Sequence, residues 1–272
     1  MPIPHRFLLL AGLLSLLPSA SALAQSAPAS IANSLVQFEW LTDSTSGSEL
    51  VLFRADGTFQ DLQGQMAGYP FTESQTLAPG SGTYTYGVAP GNPAEAVITV
   101  TSGRGGPGLG GGTQLVFYAS NRGTGGLGTF YLSPGVAPTG AGNVSTRGLL
   151  SAVHPMEAGF VIEGTENRWV LVRGDGPSLA PFGVTDAVAN PQVAVFAGSK
   201  IVQTLSVWSA DPNLVPGYNA VFALAGAFPF PSGSADCAGL FELAPGAYTA
   251  QATTTGPEGE ILLEVYILPF GG

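Results

Sequence analysis

Cysteine and histidine are scarce in this sequence, and the shortage excludes several kinds of site. The 272 residues include one cysteine and two histidines. His5 lies in an N-terminal segment that we expect to be removed, which leaves Cys237 and His154. One of each cannot supply a zinc site, and a single cysteine cannot form an intramolecular disulfide. Cys237 begins an apolar strand, which favours a small buried side chain over an intermolecular disulfide or a reactive thiol.

Basic residues are also few, and charge of either sign is sparse. The chain has 8 Lys and Arg against 18 Asp and Glu, a formal net charge of −10, and only 10% of its residues are charged. Nucleic acids and anionic lipids bind clustered Lys and Arg, so no nucleic-acid partner is expected. The 39 glycines and 22 prolines stand between short apolar runs. This composition predicts an all-β protein.

The longest apolar run, Phe7–Leu17, is too short for a comfortable membrane span. It follows a short basic start and precedes small residues that end in Ala22-Leu23-Ala24. This is the pattern of a signal peptide over residues 1–24, cleaved between Ala24 and Gln25; an uncleaved anchor is the alternative. We therefore predict a secreted or periplasmic protein with no membrane span in the mature chain.

Catalytic motifs are missing or stand in the wrong context. His154 precedes Pro155 in an expected turn and has no G-x-S-x-G element beside it. Residues 106–111 match G-x-G-x-x-G, but a strand follows instead of a helix, which predicts a flexible loop. The Arg173-Gly174-Asp175 tripeptide matches an integrin motif by letters and is interpreted as the end of a strand and a tight turn. We predict no enzyme activity and no catalytic residue.

Calcium and cofactor sites have no sequence signature either. The chain lacks the D-x-[DN]-x-[DN]-G pattern of calcium loops, although scattered residues such as Asp211 and Asp236 leave a cation site open. No G-K-[ST] phosphate-binding motif occurs. The prediction is that the protein has no metal and no cofactor.

Alternation of apolar and polar residues predicts two β domains. Residues 31–133 are expected to form an antiparallel β-meander of about seven strands, with Asp56-Gly57 at a hairpin turn. Residues 134–143 lack periodicity and predict a linker. Residues 144–270 predict a jelly-roll-like β-sandwich with at most one short helix. That helix is expected to start near Gly217 and to stop before Pro229, because apolar residues recur there with a helical period.

Four sequence blocks in the second half carry a resemblance to a known domain. They are Asn143–Gly148 (NVSTRG), Val170–Leu179 (VLVRGDGPSL), Leu243–Thr249 (LAPGAYT) and Glu264–Tyr266 (EVY). Together they resemble an uncharacterised β-sandwich domain of exported proteins from Verrucomicrobia and related bacteria. The LAPGAYT block is also similar to bacterial pre-peptidase C-terminal domains. The resemblance implies export and a sandwich fold, and it brings no catalytic residues.

Three functions remain open at this point, in order of preference. The first is an exported, non-catalytic protein with a structural, adhesive or binding role at the cell envelope or outside it, whose partners are glycans or envelope proteins. The second is a carbohydrate-binding accessory protein, because exposed aromatic rings stack on sugars. Its candidate stacking residues are Trp40, Trp169 and Trp208, although the strand around Trp169 favours core packing. The third is a secreted hydrolase with an unrecognised site.

Overall fold

The structure is a computed structural model that describes residues 26–42, 45–68, 75–126, 128–134 and 142–271. It is all-β, as predicted, with one α-helix and one 3-10 helix among these residues. The predicted signal peptide lies outside the described residues, as do residues 135–141 of the predicted linker. None of the described residues belongs to a helix of the length and apolarity needed to cross a membrane.

The N-terminal half is one antiparallel sheet that closes on itself. Its strands are β1 (Ser34–Leu41), β2 (Thr45–Phe53), β3 (Thr58–Gly68), β4 (Gln75–Thr76), β5 (Ser81–Val88), β6 (Glu95–Arg104), β7 (Thr113–Ala119), β8 (Arg122–Gly125) and β9 (Gly128–Pro134). Apart from the short β4, each strand pairs with the next along the chain, which confirms the predicted meander. β1 also pairs with β9, so the strands form a ring that we call the closed sheet.

Alternating side chains fill the interior of the closed sheet. In β7, for example, Leu115 and Phe117 point inward and are buried, whereas Val116 and Tyr118 point outward and are exposed. Period-2 alternation of this kind is expected for a strand with one buried face. The inner core includes Val36, Phe38, Val51, Phe53, Phe59, Ala96, Ile98, Leu115, Phe117, Phe130 and Leu132.

The C-terminal half is a sandwich of two antiparallel sheets. Its strands are β10 (Asn143–Leu150), β11 (Met156–Ile162), β12 (Arg168–Asp175), β13 (Gln192–Ala197), β14 (Lys200–Thr204), β15 (Ser206–Val207), β16 (Cys237–Leu243), β17 (Gly246–Thr253) and β18 (Gly259–Gly271). One sheet has the order β10-β18-β12-β16-β15 and the other has the order β11-β17-β13-β14. Without the two-residue β15, this is the strand order of a jelly roll, as predicted.

Two helical segments interrupt the strands of the sandwich. The α-helix α1 (Val215–Ala225) ends at Gly226, whose φ of 73° provides the left-handed C-cap that glycine favours. It lies where the sequence predicts a helix. A six-residue 3-10 helix, η1 (Pro177–Phe182), was not expected, so the two segments exceed the predicted limit of one short helix. Pro177 at its start fixes φ at a value that suits a helical turn.

Besides the interior core of each half, the closed sheet and the sandwich share a further hydrophobic core. Leu35, Leu50, Leu52 and Leu62 point outward from the closed sheet and pack against aromatic and aliphatic side chains of the sandwich. The sandwich residues are Trp169, Leu171, Trp208, Val221, Phe222, Phe230, Tyr266, Leu268 and Phe270. Helix α1 packs against β3 within this shared core. Burial of these side chains therefore couples the two halves of the chain.

Candidate functional site

The three tryptophans proposed as sugar-stacking residues are all buried. Trp169 and Trp208 lie in the shared core with 5% and 2% of their surface exposed. Trp40 is 5% exposed and points into the closed sheet, where its ring packs over Gly47. None of these rings offers a face to a sugar from solvent. The reason is the shared core and the closure of the sheet, which together cover faces that isolated strands would expose.

The side chains of Cys237 and His154 form no catalytic arrangement. Cys237 is buried, and burial raises the pKa of its thiol to about 12, so the side chain remains a protonated thiol at neutral pH. His154 is exposed in a turn closed by its backbone bonds to Ser151. Within the described residues, no group of three or more His, Cys, Asp or Glu side chains could hold a metal ion, and Asp211 and Asp236 form no such group.

A buried charged group, which we call the arginine cluster, lies beside the shared core and outside the interior of the sandwich. Its members are Arg173, Asp175, Asp236 and Glu264. The Arg173 guanidinium donates from Nη2 to Asp175 Oδ2 at 3.1 Å and from Nη1 to the Phe228 carbonyl oxygen at 3.0 Å. Its Nε lies 3.6 Å from Glu264 Oε2. The Arg173 side chain thus faces two carboxyl groups, those of Asp175 and Glu264, away from water.

Three phenylalanine rings cover the guanidinium of Arg173. Its central carbon lies 4.5 Å, 4.5 Å and 4.1 Å from the ring centroids of Phe222, Phe228 and Phe230. Cation–π contacts of this kind are strongest when water is excluded. The Arg173-Gly174-Asp175 tripeptide is therefore not accessible to an integrin-type receptor, because the charged side chains at both of its ends are fully buried.

The arginine cluster combines a carboxyl group of raised pKa with hydrogen bonds to backbone groups. Burial is the largest cause that raises the pKa of Asp175 well above its usual value; the positive charge of Arg173 opposes this rise and the negative charge of Glu264 adds to it. Asp236 Oδ1 accepts hydrogen bonds from Gly176 N at 2.6 Å and from Ser178 N at 3.2 Å, which fixes the start of η1. Two of the sequence blocks that carry the family resemblance, Val170–Leu179 and Glu264–Tyr266, therefore meet in this cluster.

A second buried site lies inside the closed sheet and consists of the carboxyl groups of Glu49 and Asp61, which we call the carboxyl pair. Glu49 accepts hydrogen bonds from the backbone N–H groups of Gly106 at 3.1 Å and Gly108 at 2.9 Å. Asp61 Oδ2 accepts one from Gly80 N at 2.5 Å. The two side chains also lie within hydrogen-bond reach of each other.

The glycine-rich segment at 106–111 binds the carboxylate of Glu49. A Cβ on Gly106 would lie 2.6 Å from the Glu49 carboxyl carbon, so only glycine allows this approach. Leu109 then enters the inner core. The first half of the predicted flexible loop is thus fixed by backbone hydrogen bonds and a buried side chain. The G-x-G-x-x-G pattern serves here to close one end of the sheet.

The carboxyl pair makes stability depend on pH. Burial, and then repulsion from Glu49, raises the pKa of Asp61 to about 8. The proton stabilises the folded state fully below the ordinary Asp pKa of 3.8, and this contribution is lost as pH rises towards 8. We expect the free energy of unfolding of the metal-free protein to fall between pH 5 and pH 8 by up to about 1.4 kcal/mol per pH unit. Urea unfolding of wild type and Asp61→Asn at pH 5 and pH 8 measures this fall in the free energy of unfolding.

In the asparagine variant the fall should be smaller, because the titrating group is gone while Asp175 contributes equally to both proteins. If the free energy of unfolding fell equally with pH in the two proteins, Asp61 would not titrate in this range.

Two exposed tyrosines and an arginine form a row on the outer face of the closed sheet. Tyr118, Arg122 and Tyr131 lie on the adjacent strands β7, β8 and β9, and we call them the tyrosine row. Tyr118 is 53% exposed and Tyr131 is 42% exposed. Arg122 pairs directly with Tyr131, and its guanidinium carbon lies 5.7 Å from the Tyr118 ring centroid. Gln37 on β1 extends the row beyond Tyr131.

The spacing of the row follows from the strand spacing of a sheet. Tyr118 and Tyr131 stand two strands apart, so their Cα atoms are separated by about 10 Å across the sheet. Gln37 donates a hydrogen bond to Glu39 at 2.8 Å and supplies an amide beside the second ring. No sequence pattern described above predicts a role for these tyrosines. Strand alternation could have found them, because Phe117 and Phe130 mark the inward positions next to each.

Together, the fold and these sites describe an all-β protein with an exposed row of tyrosine and arginine side chains and with buried charged groups. No protein-family profile and no curated protein sequence matches the chain. Among solved structures, it is similar to the pre-peptidase C-terminal domain of a collagenase from Bacillus anthracis, with 10% identity, a TM-score of 0.28, and coverage of 45% of this chain and 88% of that one. It is also similar to an exo-β-1,3-galactanase from Phanerochaete chrysosporium determined with galactose, with 8% identity, a TM-score of 0.21, and coverage of 86% and 82%.

At these TM-scores neither similarity carries an argument about this chain. The resemblance to exported domains of Verrucomicrobia stays a prediction.

Proposed function

We propose that the protein is an exported, non-catalytic binding protein that contacts glycans through the tyrosine row. The observation that carries this proposal is the exposure of two tyrosine rings with an arginine between them on three adjacent strands. Aromatic faces stack on the apolar faces of sugar rings, and arginine and amide groups donate hydrogen bonds to hydroxyl groups. The row combines these groups on a rigid sheet, which reduces the ordering needed on binding.

The placement of the reactive side chains supports a non-catalytic role. The Cys237 thiol, the arginine cluster and the carboxyl pair are all buried, and each is held by contacts within the protein. These buried groups stabilise the fold, and the proposed ligand contact is therefore placed on the surface. Export is supported by the signal-like segment at residues 1–24. The proposal therefore retains the carbohydrate-binding hypothesis and moves its site from the tryptophans to the tyrosines.

A double variant of the two tyrosines tests the proposal. We expect Tyr118→Ala/Tyr131→Ala to weaken glycan binding at least about tenfold, because exposed aromatic anchors contribute most to such contacts. The measurement is pull-down on insoluble cellulose, chitin and β-1,3-glucan, followed by calorimetry with a soluble oligosaccharide of the polysaccharide that binds.

Phe182→Ala is the matched control, since this aromatic residue is 62% exposed on the sandwich. It should bind like wild type. Equal binding by all three proteins, or no binding of wild type to any of these polysaccharides and to a wider glycan array, would contradict the proposal.

A further inference from the structure

The carboxyl pair lies beside a small cavity where the closed sheet meets the sandwich. The cavity is lined by Glu49, Asp61 and Gln63 from the closed sheet, by the segment 77–79, and by Asn213 from the sandwich. Its volume has room for about one water molecule or one ion. Asn213 also donates to the Thr76 carbonyl oxygen at 3.5 Å, which holds it against this edge of the closed sheet.

One oxygen of the carboxyl pair has no donor within the described part of the chain. Asp61 is 3% exposed, and its Oδ1 atom is buried without a hydrogen-bond partner, while Oδ2 is bound by Gly80 N. Glu49, the nearest group, is itself an acceptor. A buried carboxylate oxygen without a partner is costly, so either a proton or a cation must lie between these oxygens.

The chemistry of the cavity lining suits a hard cation. The side chains around it offer carboxylate and amide oxygens and contain neither histidine nor cysteine. Oxygen ligands of this kind favour Ca²⁺ over Zn²⁺. The charged groups that act on Asp61 are Glu49, which favours a cation, and Arg104, which opposes it.

We propose that this cavity binds a divalent cation of the Ca²⁺ class, held by the carboxyl groups of Glu49 and Asp61 with the side-chain amide oxygen of Asn213. Because Asn213 belongs to the sandwich, the bound cation ties the two halves of the chain together. The cation competes with the proton on the carboxyl pair, so its affinity increases as pH rises. The inference is independent of the glycan-binding proposal.

Thermal unfolding with added calcium tests the proposal on the full mature chain. The protein is stripped with EDTA, dialysed at pH 8.5 and titrated with CaCl₂, and binding is measured in parallel by calorimetry. We expect Ca²⁺ to raise the melting temperature of wild type by several degrees and to leave Asp61→Asn unchanged. Asparagine keeps the acceptor for Gly80 N and can donate to Glu49, so this variant is expected to fold, and circular dichroism checks that it does.

Two further variants make the result specific. Asn213→Ala keeps both carboxyl groups and should raise the Kd for Ca²⁺ at least about tenfold. Glu258→Gln, at an exposed carboxylate, should behave like wild type. The proposal is overturned if Ca²⁺ does not stabilise wild type at pH 8.5, or if it stabilises wild type, Asp61→Asn and Asn213→Ala equally. The first result would mean that a proton alone satisfies the pair.

Discussion

Replacing Arg173 with methionine is expected to lower the free energy of unfolding by about 3–5 kcal/mol. The substitution fills similar volume but removes the cation that faces Asp175 and Glu264, both of which are buried. It also removes the hydrogen bond to the Phe228 carbonyl oxygen and the contacts with three phenylalanine rings. The carboxyl groups would then need additional protons to remain buried, so the loss should be larger at pH 8 than at pH 5.

Urea unfolding measures this loss, with fluorescence of the buried Trp169 and Trp208 as the signal. The matched control is Arg147→Met, which breaks an ion pair with Glu260 whose side chains are 53% and 32% exposed. Exposed pairs contribute at most about 1 kcal/mol, so this control should change little. Similar losses in the two variants would show that the arginine cluster contributes no more than a surface ion pair.

Replacing Gly217 with alanine is expected to separate the unfolding of the two halves of the chain. A Cβ on Gly217 would lie 1.8 Å from the Leu62 carbonyl oxygen and 2.6 Å from its carbonyl carbon. Both are backbone atoms, so α1 must move away from β3, and overpacking of this kind costs about 1–3 kcal/mol or more. Alanine normally stabilises a helix relative to glycine, so a loss would report the contact and not helix propensity.

Differential scanning calorimetry measures this effect. Wild type should unfold in one transition because the shared core couples the two halves, whereas Gly217→Ala should show a lower melting temperature and two resolved transitions. Gly159→Ala is the control, since no atom lies within 4 Å of the position that its Cβ would occupy. A single unshifted transition in Gly217→Ala would contradict the close packing of α1 on β3.

Local sequence patterns predicted much of the secondary structure and the strand order of the sandwich. The helical period around Tyr218 and Val221 located α1, and the number and spacing of strands after residue 144 indicated a jelly roll. The short strands β4 and β8 were missed, because two residues and the sequence Arg-Gly-Thr-Gly carry no alternation of their own. These two strands form through pairing with their neighbours, β4 with β3 and β8 with β7 and β9. Closure of the first sheet depends on the long-range pairing of β1 with β9, which no local pattern encodes.

The sites were less predictable than the fold, because burial decides which side chains are available. Trp169 and Trp208 were predicted as candidate stacking residues, but both are buried in the shared core. The carboxyl pair joins residues on two strands and glycines in a third segment, and such a contact leaves no spacing rule in the sequence. Tyr118, in contrast, follows a clear alternation in β7, and a search for outward-facing aromatics would have selected it.

Footprinting of the tyrosine row tests the proposed function most directly. Hydroxyl-radical oxidation, quantified by mass spectrometry, is compared with and without the polysaccharide that binds in the pull-down. We predict that bound polysaccharide reduces oxidation of Tyr118 and Tyr131 and leaves the exposed Phe182 unchanged. Protection of residues on the sandwich, with Tyr118 and Tyr131 oxidised as in the free protein, would contradict glycan binding at this face.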